Sequence, residues 1–143
     1  MKTFLTLFLA AFVLSCNQKM EDKSDLKSVR EDKLTDTLDR VEPTVISYDS
    51  IIDVGFISKD TAHATFNLIN IGKNPLYVAA ISPSCGCTSA TKAPKDPIKT
   101  GDTLEVKVDI DMNRISNENF EKTVTILSNS QERVLLLRVI GKK

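Results

Sequence analysis

The stretch Thr61-Ala62-His63-Ala64-Thr65-Phe66-Asn67-Leu68 decides the fold of this chain, because apolar and polar residues alternate along it. Residues 103–110 repeat the alternation, with Leu, Val, Val and Ile between Thr, Glu, Lys and Asp. Successive side chains of a β-strand point to opposite faces of the sheet, so a period of two places one face in a core and the other in water. Both stretches are therefore predicted to be half-buried strands.

Residues 76–81, 120–127 and 134–140 predict further strands, since they are rich in β-branched and aliphatic side chains. The last run is nearly all apolar, so we expect it to be covered on both faces. Turn residues at 70–75 and 100–102 separate the runs. Residues 43–143 are therefore expected to form one all-β domain, an antiparallel sandwich of about seven strands.

The amino-terminal residues have the pattern of an export signal. Lys2 precedes an apolar run over 4–14 that is too short to span a membrane. The following Val13-Leu14-Ser15-Cys16 resembles a lipobox, which implies that residues 1–15 are a signal peptide and that Cys16 receives fatty acyl chains such as palmitate. An ordinary signal peptide, cut at a small residue, is the alternative. We expect a lipoprotein anchored to the outer membrane of a bacterial envelope.

Residues 16–42 are dense in charges of both signs and are expected to be a tether between the lipid and the domain. Leu26, Val29, Leu34 and Leu38 recur at near-helical spacing, which leaves a short amphipathic helix open. The acidic cluster near Glu21 is similar to signals that send lipoproteins to the cell surface. Plain solvated linker is the preferred interpretation, and a periplasmic or surface location stays open.

Composition and motifs exclude several function classes. The 19 Lys and Arg residues are balanced by 19 Asp and Glu residues, whereas nucleic-acid binding usually needs a basic surplus. The sequence has no glycine-rich phosphate loop and no Gly-x-Ser-x-Gly elbow. Asp109 and Asp111 share one strand face, where acids usually provide solubility. We therefore predict no nucleic-acid partner, no enzymatic activity by a familiar route and no cofactor.

Two of the three cysteines stand in Ser84-Cys85-Gly86-Cys87-Thr88. A disulfide between Cys85 and Cys87 is one interpretation; residues two apart on a strand are near the distance limit for it, and the glycine between them would let the backbone bend. Reduced thiols that act as small core residues are a second interpretation. A copper(I) or zinc site with His63, and with Met112 if the fold brings it close, is a third.

The surroundings of the cysteine pair add little that is specific. Ser84, Thr88 and Ser89 are possible hydrogen-bond donors to a thiolate, although such hydroxyls often cap turns. His63 lies on the solvated side of its predicted strand, where an exposed histidine is the simpler interpretation. The sequence alone therefore leaves the chemistry of Cys85 and Cys87 open.

A set of dispersed stretches forms a recognisable pattern: Asp53-Val54-Gly55-Phe56-Ile57, residues 63–72, Asn74-Pro75-Leu76, the element Ser84-Cys85-Gly86-Cys87-Thr88, Gly101-Asp102 and residues 120–129. This pattern resembles the bacterial domain of unknown function 1573 family over about residues 46–141. It departs from the usual pattern at Thr100, where proline is common, and at Asn119, where glycine is common. The resemblance implies an immunoglobulin-like sandwich, related to domains of cilia and major sperm proteins and often found on envelope lipoproteins. It implies no established activity.

Two functions are compatible with these observations. The first is an envelope lipoprotein whose noncatalytic immunoglobulin-like domain binds or scaffolds an unknown protein or glycan partner, with the membrane as the partner of its lipid. The alternative is a thiol-redox or soft-metal protein that uses the Cys85-Gly86-Cys87 pair.

Overall fold

The computed structural model describes residues 38–143. The predicted signal peptide, Cys16 and most of the predicted tether lie outside the described residues. The described chain contains a 3-10 helix at Met112–Arg114 and eight strands. The strands are β1 (Ile46–Ser47), β2 (Ile51–Phe56), β3 (Thr61–Asn70), β4 (Val78–Pro83), β5 (Thr88–Ala90), β6 (Thr103–Asp111), β7 (Asn119–Ser128) and β8 (Val134–Lys142).

The strands form two four-stranded sheets with the orders β1-β3-β6-β5 and β2-β8-β7-β4. The predicted all-β sandwich is therefore confirmed, with eight strands in place of about seven because the two-residue β1 adds an edge. The expectation of purely antiparallel pairing is wrong at one place, since β2 runs parallel to β8. The chain crosses from β1 in one sheet to β2 in the other, and β2 then lies beside the last of the eight strands.

The core lies between the sheets and is built from alternate residues of the long strands. Its fully buried large side chains are Phe66, Leu68, Leu76, Val106, Val108, Ile110, Met112, Val124, Ile126, Leu135, Leu137 and Val139. Leu76 was predicted to begin a strand, but it makes an isolated bridge to Ile98 and β4 starts two residues later. The period-two interpretation of β3 and β6 is confirmed, because every second residue of each strand is buried.

The prediction that the last strand is covered on both faces is wrong. Leu135, Leu137 and Val139 of β8 face the core, whereas Val134 and Leu136 are 54% and 51% exposed. The other sheet covers one face of β8, and no part of the described chain covers the opposite face enough to bury these two side chains. Aliphatic composition therefore does not mean burial here.

Two buried asparagines fix the loops at one end of the sandwich. The Asn70 side chain accepts hydrogen bonds from Thr44 Oγ1 and Gly72 N, and it donates to the carbonyl oxygens of Asn74 and Ile98. Each of its polar atoms thus replaces water with a protein partner, as burial requires. In the sequence, Asn70 is recognisable only as a turn residue.

The Asn129 side chain holds a second set of segments together through its own hydrogen bonds. Its Oδ1 accepts a hydrogen bond from Tyr77 N at 2.7 Å, and its Nδ2 donates to the carbonyl oxygens of Glu42 and Pro75 at 2.8 and 3.0 Å. The side chain is 3% exposed. One amide group therefore joins the start of the domain to the β3–β4 connection.

Among the described residues, those just upstream of the expected domain boundary at residue 43 also contact the domain. Leu38 is 4% exposed, and Asp39 forms an ion pair with Arg133. The last residues of the predicted tether therefore lie against the domain. No helix in residues 38–143 has the length and apolar character needed to cross a membrane.

Candidate functional site

The Cys85–Cys87 disulfide lies in the connection between β4 and β5, which are edge strands of the two different sheets. Thr88 N donates a hydrogen bond to Cys85 O at 3.2 Å, so these residues form a tight turn. The expected geometry of two residues along a strand is therefore wrong. Because the chain turns here, the two Cα atoms are 5.3 Å apart, which is within the usual range for a disulfide.

The turn is held by hydrogen bonds to its backbone carbonyl groups in addition to the disulfide. Asp111 N donates to Cys87 O at 2.9 Å, and the Arg114 guanidinium donates to Gly86 O at 2.6 Å. With the Thr88–Cys85 bond, all three carbonyl groups of the Cys-Gly-Cys sequence have protein donors. The loop closed by the disulfide is so small that chain-entropy arguments give it less than about 2 kcal/mol of stabilisation.

Gly86 is not needed for the bend of the turn. It does not adopt a positive φ, unlike Gly55 and Gly101. A methyl group at Gly86 would meet only the Arg114 guanidinium, at an ordinary contact distance of 3.8 Å. The expectation that glycine permits the disulfide by its conformational freedom is therefore wrong, since the backbone bends in a conformation open to other residues.

The sulfur atoms have a buried hydroxyl beside them. Thr88 is 6% exposed, and its Oγ1 lies 3.3 Å from Cys85 Sγ and 3.8 Å from Cys87 Sγ. Sulfur atoms in a disulfide have no proton to donate, so the Thr88 hydroxyl is the donor. Both cysteines are partly exposed, and Cys87 also packs against the hydrophobic core.

The other two hydroxyls singled out in the sequence have different roles. Ser84 Oγ accepts a hydrogen bond from Thr123 N, at the end of the β4–β7 pairing. Ser89 is exposed on β5, where it pairs with Asp109 of β6. Of the three candidates, Thr88 is therefore the one placed against the disulfide.

The structure does not assemble the metal site considered from the sequence. His63 is exposed on the outer face of β3, and its Nδ1 lies 2.6 Å from Asp109 Oδ1. Met112 is buried in the core, and the Asp111 carboxylate accepts from Asn113 N at the start of the 3-10 helix. Within residues 38–143 no group of three His, Cys, Asp or Glu side chains could hold a metal ion.

The two outer faces of the sandwich differ in chemistry. On the β1-β3-β6-β5 sheet the outward residues are mostly polar: Thr61, His63, Thr65, Asn67, Glu105, Lys107 and Asp109. On the β2-β8-β7-β4 sheet, Val134 and Leu136 are joined by Ile51, which is 43% exposed. Val134 pairs with Leu127, and Ile51 pairs with Arg138. We call Ile51, Leu127, Val134 and Leu136 the apolar outer face.

Comparison with protein families gives a match over residues 47–142 to "Protein of unknown function (DUF1573)". No curated protein matches the chain. Among solved structures, a protein of unknown function from Porphyromonas gingivalis W83 is similar with a TM-score of 0.63 and 18% identity, over 72% of this chain and 48% of that one.

Two further structures share the fold. The Vibrio cholerae VesB protease is similar with a TM-score of 0.54 and 16% identity, over 81% of this chain and 36% of that one. The ASH/PapD-like domain of human CEP192 is similar with a TM-score of 0.50 and 9% identity, over 71% of this chain and 86% of that one. This chain spans about half of the Porphyromonas protein and about a third of the protease. At these identities the likenesses show the fold alone.

Proposed function

The chain belongs to the DUF1573 family, and from this premise we propose that it is an envelope lipoprotein whose immunoglobulin-like domain binds another protein. The observation that supports the proposal most directly is the apolar outer face. Val134 and Leu136 are more than half exposed on a central strand of their sheet. Large aliphatic side chains grouped on a sheet surface mark sites of protein association.

The chemistry of the apolar outer face favours a protein over a glycan. Its four residues are aliphatic, and Thr125, which pairs with Leu136, adds a single hydroxyl group beside them, whereas a sugar presents several hydroxyl groups that each need a donor or acceptor. Arg138 and Glu121 form an ion pair beside the apolar residues, so the face has a polar border. An apolar centre with a charged border is the usual composition of a protein interface.

A noncatalytic role fits the family and the fold. The His63–Asp109 pair is exposed, and in the described residues no serine or cysteine forms a hydrogen bond with His63. A Ser-His-Asp or Cys-His arrangement requires such a contact. The domain therefore has the properties expected of a binding module more than those of a hydrolase.

The lipid anchor is part of the same proposal and rests on the lipobox-like Val13-Leu14-Ser15-Cys16. Metabolic labelling with an alkynyl fatty acid tests it directly. We expect the wild-type chain to be labelled and to fractionate with the outer membrane, and a Cys16→Ser variant to lose the label. A labelled Cys16→Ser variant, or an unlabelled wild type, would contradict this part of the proposal.

Site-specific photo-crosslinking in the native envelope tests the binding face. A photoreactive residue is placed at Leu136, and a matched control carries it at Thr65 on the polar sheet. We expect one discrete adduct with another protein from the Leu136 position and none of the same mass from Thr65. A second variant with Val134→Lys beside the probe is expected to abolish the adduct.

Three outcomes would refute binding through this face. They are the absence of an adduct at Leu136, identical adducts at both positions, and an adduct made of two copies of this chain. Val134 and Leu136 side chains point outward, so substitution there is expected to leave the denaturation midpoint nearly unchanged. A large loss of stability in the variant would show that the face is structural.

A further inference from the structure

Beyond the binding function, we propose that Cys85–Cys87 is a redox-active disulfide, which a dithiol of an envelope oxidoreductase reduces reversibly. In this proposal the Thr88 hydroxyl stabilises the thiolate that Cys85 becomes. Three features support this proposal, which takes its envelope location from the proposed function: the hydrogen-bonded turn that the disulfide closes, the buried Thr88 hydroxyl and the Arg114 guanidinium.

The disulfide contributes little to the stability of the domain. It joins residues two apart, so it restricts the unfolded chain much less than a bond that closes a long loop. The carbonyl groups of Cys85, Gly86 and Cys87 each accept a hydrogen bond that does not involve sulfur. The turn therefore keeps its shape when the disulfide opens, and the two sulfur atoms stay close enough to be oxidised again.

Thr88 lies directly against the two sulfur atoms. The side chain is buried, and in the part of the chain that the structure describes its hydroxyl makes hydrogen bonds only with the two sulfur atoms. Hydrogen bonds to an ionised acceptor are about twice as strong as those between neutral groups. The hydroxyl therefore gains strength when a thiolate forms, and Cys85 Sγ is its nearer partner.

The turn carries a positive charge from Arg114. Arg114 holds its guanidinium against Gly86, between the two cysteines in sequence, and among residues 38–143 no carboxylate lies within ion-pair distance of it. The nearest acid in sequence, Asp111, uses its carboxylate for the 3-10 helix. A neighbouring cation stabilises a thiolate and raises cysteine reactivity.

These observations define the steps of the exchange. A thiolate of the external dithiol attacks Cys87 Sγ, a mixed disulfide forms, and the Cys85–Cys87 bond breaks with its electron pair on Cys85 Sγ. The second thiol of the external protein, after losing its proton, attacks its own partner sulfur and releases Cys87. Two electrons pass to this chain, the proton of the second external thiol goes to Cys87, Cys85 stays a thiolate beside the Thr88 hydroxyl, and the oxidoreductase leaves as a disulfide.

The test uses the full chain purified in detergent and a pair of matched variants. Thr88→Val keeps the shape of the side chain and removes the hydroxyl, whereas Thr88→Ser keeps the hydroxyl. The rate of reduction by dithiothreitol is measured, and alkylation of the reduced thiols by iodoacetamide is followed against pH. Unfolding curves establish that the variants are folded under the assay conditions.

We expect the wild-type disulfide to be reduced in the folded state. Thr88→Val is expected to slow reduction about threefold or more and to move the alkylation profile to higher pH, because thiolate stability governs both. Thr88→Ser is expected to restore both values. Arg114→Gln is expected to act in the same direction as Thr88→Val, and Arg114→Lys is expected to have a smaller effect.

Several results would overturn the proposal. One is a disulfide that dithiothreitol reduces only when the chain unfolds. Another is equal reduction rates and equal pH profiles for wild type and Thr88→Val. A third is measured by trapping thiols in living cells with an alkylating agent. The proposal is overturned if Cys85 and Cys87 are fully oxidised in these cells and stay so when the thiol oxidoreductases of the envelope are removed.

Discussion

Replacing Asn129 by aspartate tests whether one amide group holds the start of the domain to the β3–β4 connection. The substitution keeps the Oδ1 acceptor of Tyr77 N but puts an oxygen where Nδ2 donates to Glu42 O and Pro75 O, at 2.8 and 3.0 Å. Two hydrogen bonds are lost and two carbonyl oxygens face a third oxygen. Asn129 is 3% exposed, so the new carboxylate loses water without gaining a donor, and a buried group left without a partner costs about 1–3 kcal/mol, more when it is charged. We therefore expect a loss of about 4 kcal/mol at neutral pH, a large part of the about 5–15 kcal/mol that stabilises a typical domain.

The Asn129→Asp variant also has a predictable pH dependence. Burial and the two carbonyl oxygens disfavour the carboxylate, so the pKa of the introduced carboxyl group in the folded state lies above its unfolded value of about 3.9. The folded state then holds the proton more tightly than the unfolded state. The loss of stability is smallest below the unfolded pKa and grows as pH rises towards the folded pKa.

Urea unfolding followed by circular dichroism, at about pH 3.5 and about pH 7, measures both effects. The control is Asn117→Asp, since Asn117 is exposed; a change within about 0.5 kcal/mol is expected there. A loss for Asn129→Asp below about 1 kcal/mol, or one that does not grow with pH, would refute the reasoning.

Three other perturbations address the glycines, the disulfide and a tyrosine. Gly72→Ala is expected to destabilise the domain by about 1–3 kcal/mol, because its methyl group would overlap neighbouring atoms, one of them a backbone nitrogen at 2.5 Å; Gly86→Ala, measured in the same urea series, is expected to be nearly neutral. Replacing Cys85 and Cys87 together by serine is expected to cost less than about 2 kcal/mol with an unchanged circular dichroism spectrum, and unfolding would contradict the account of the turn. Burial, followed by the charge and hydrogen bond of a neighbouring glutamate, raises the pKa of Tyr48 above 10.0; an ultraviolet titration is expected to show its phenol ionising above that value, and folding stability is expected to fall as pH rises through it.

The sequence predicted the fold where side-chain alternation has a single interpretation. Residues of β3 and β6 alternate strictly, and the structure buries the expected half of each strand. The prediction that β8 is buried on both faces failed for a physical reason. Composition shows that the side chains are hydrophobic, but it does not show whether another part of the protein covers them. Val134 and Leu136 look like core residues in sequence and are exposed in the sheet.

The candidate site was predictable only in its local part. Thr88 follows Cys87 directly in sequence, so its hydroxyl was an obvious candidate. The sequence gives no indication of the role of Arg114, because β5 and β6 separate it from Gly86 along the chain and only the fold brings its guanidinium to the Gly86 carbonyl group. The roles of Asn70 and Asn129 depend in the same way on segments brought together by the fold.

The position of β8 has a consequence for the order in which the chain is made. β8 is the last of the eight strands to be synthesised, yet it lies inside its sheet between β2 and β7. Until β8 is made, β2 has no neighbour in its sheet and the core lacks the side chains of Leu135, Leu137 and Val139. Pairing of such distant segments is slow. A chain shortened before β8 would therefore lose an interior strand and not merely an edge, and an incomplete translation product is expected to be degraded by cellular proteases.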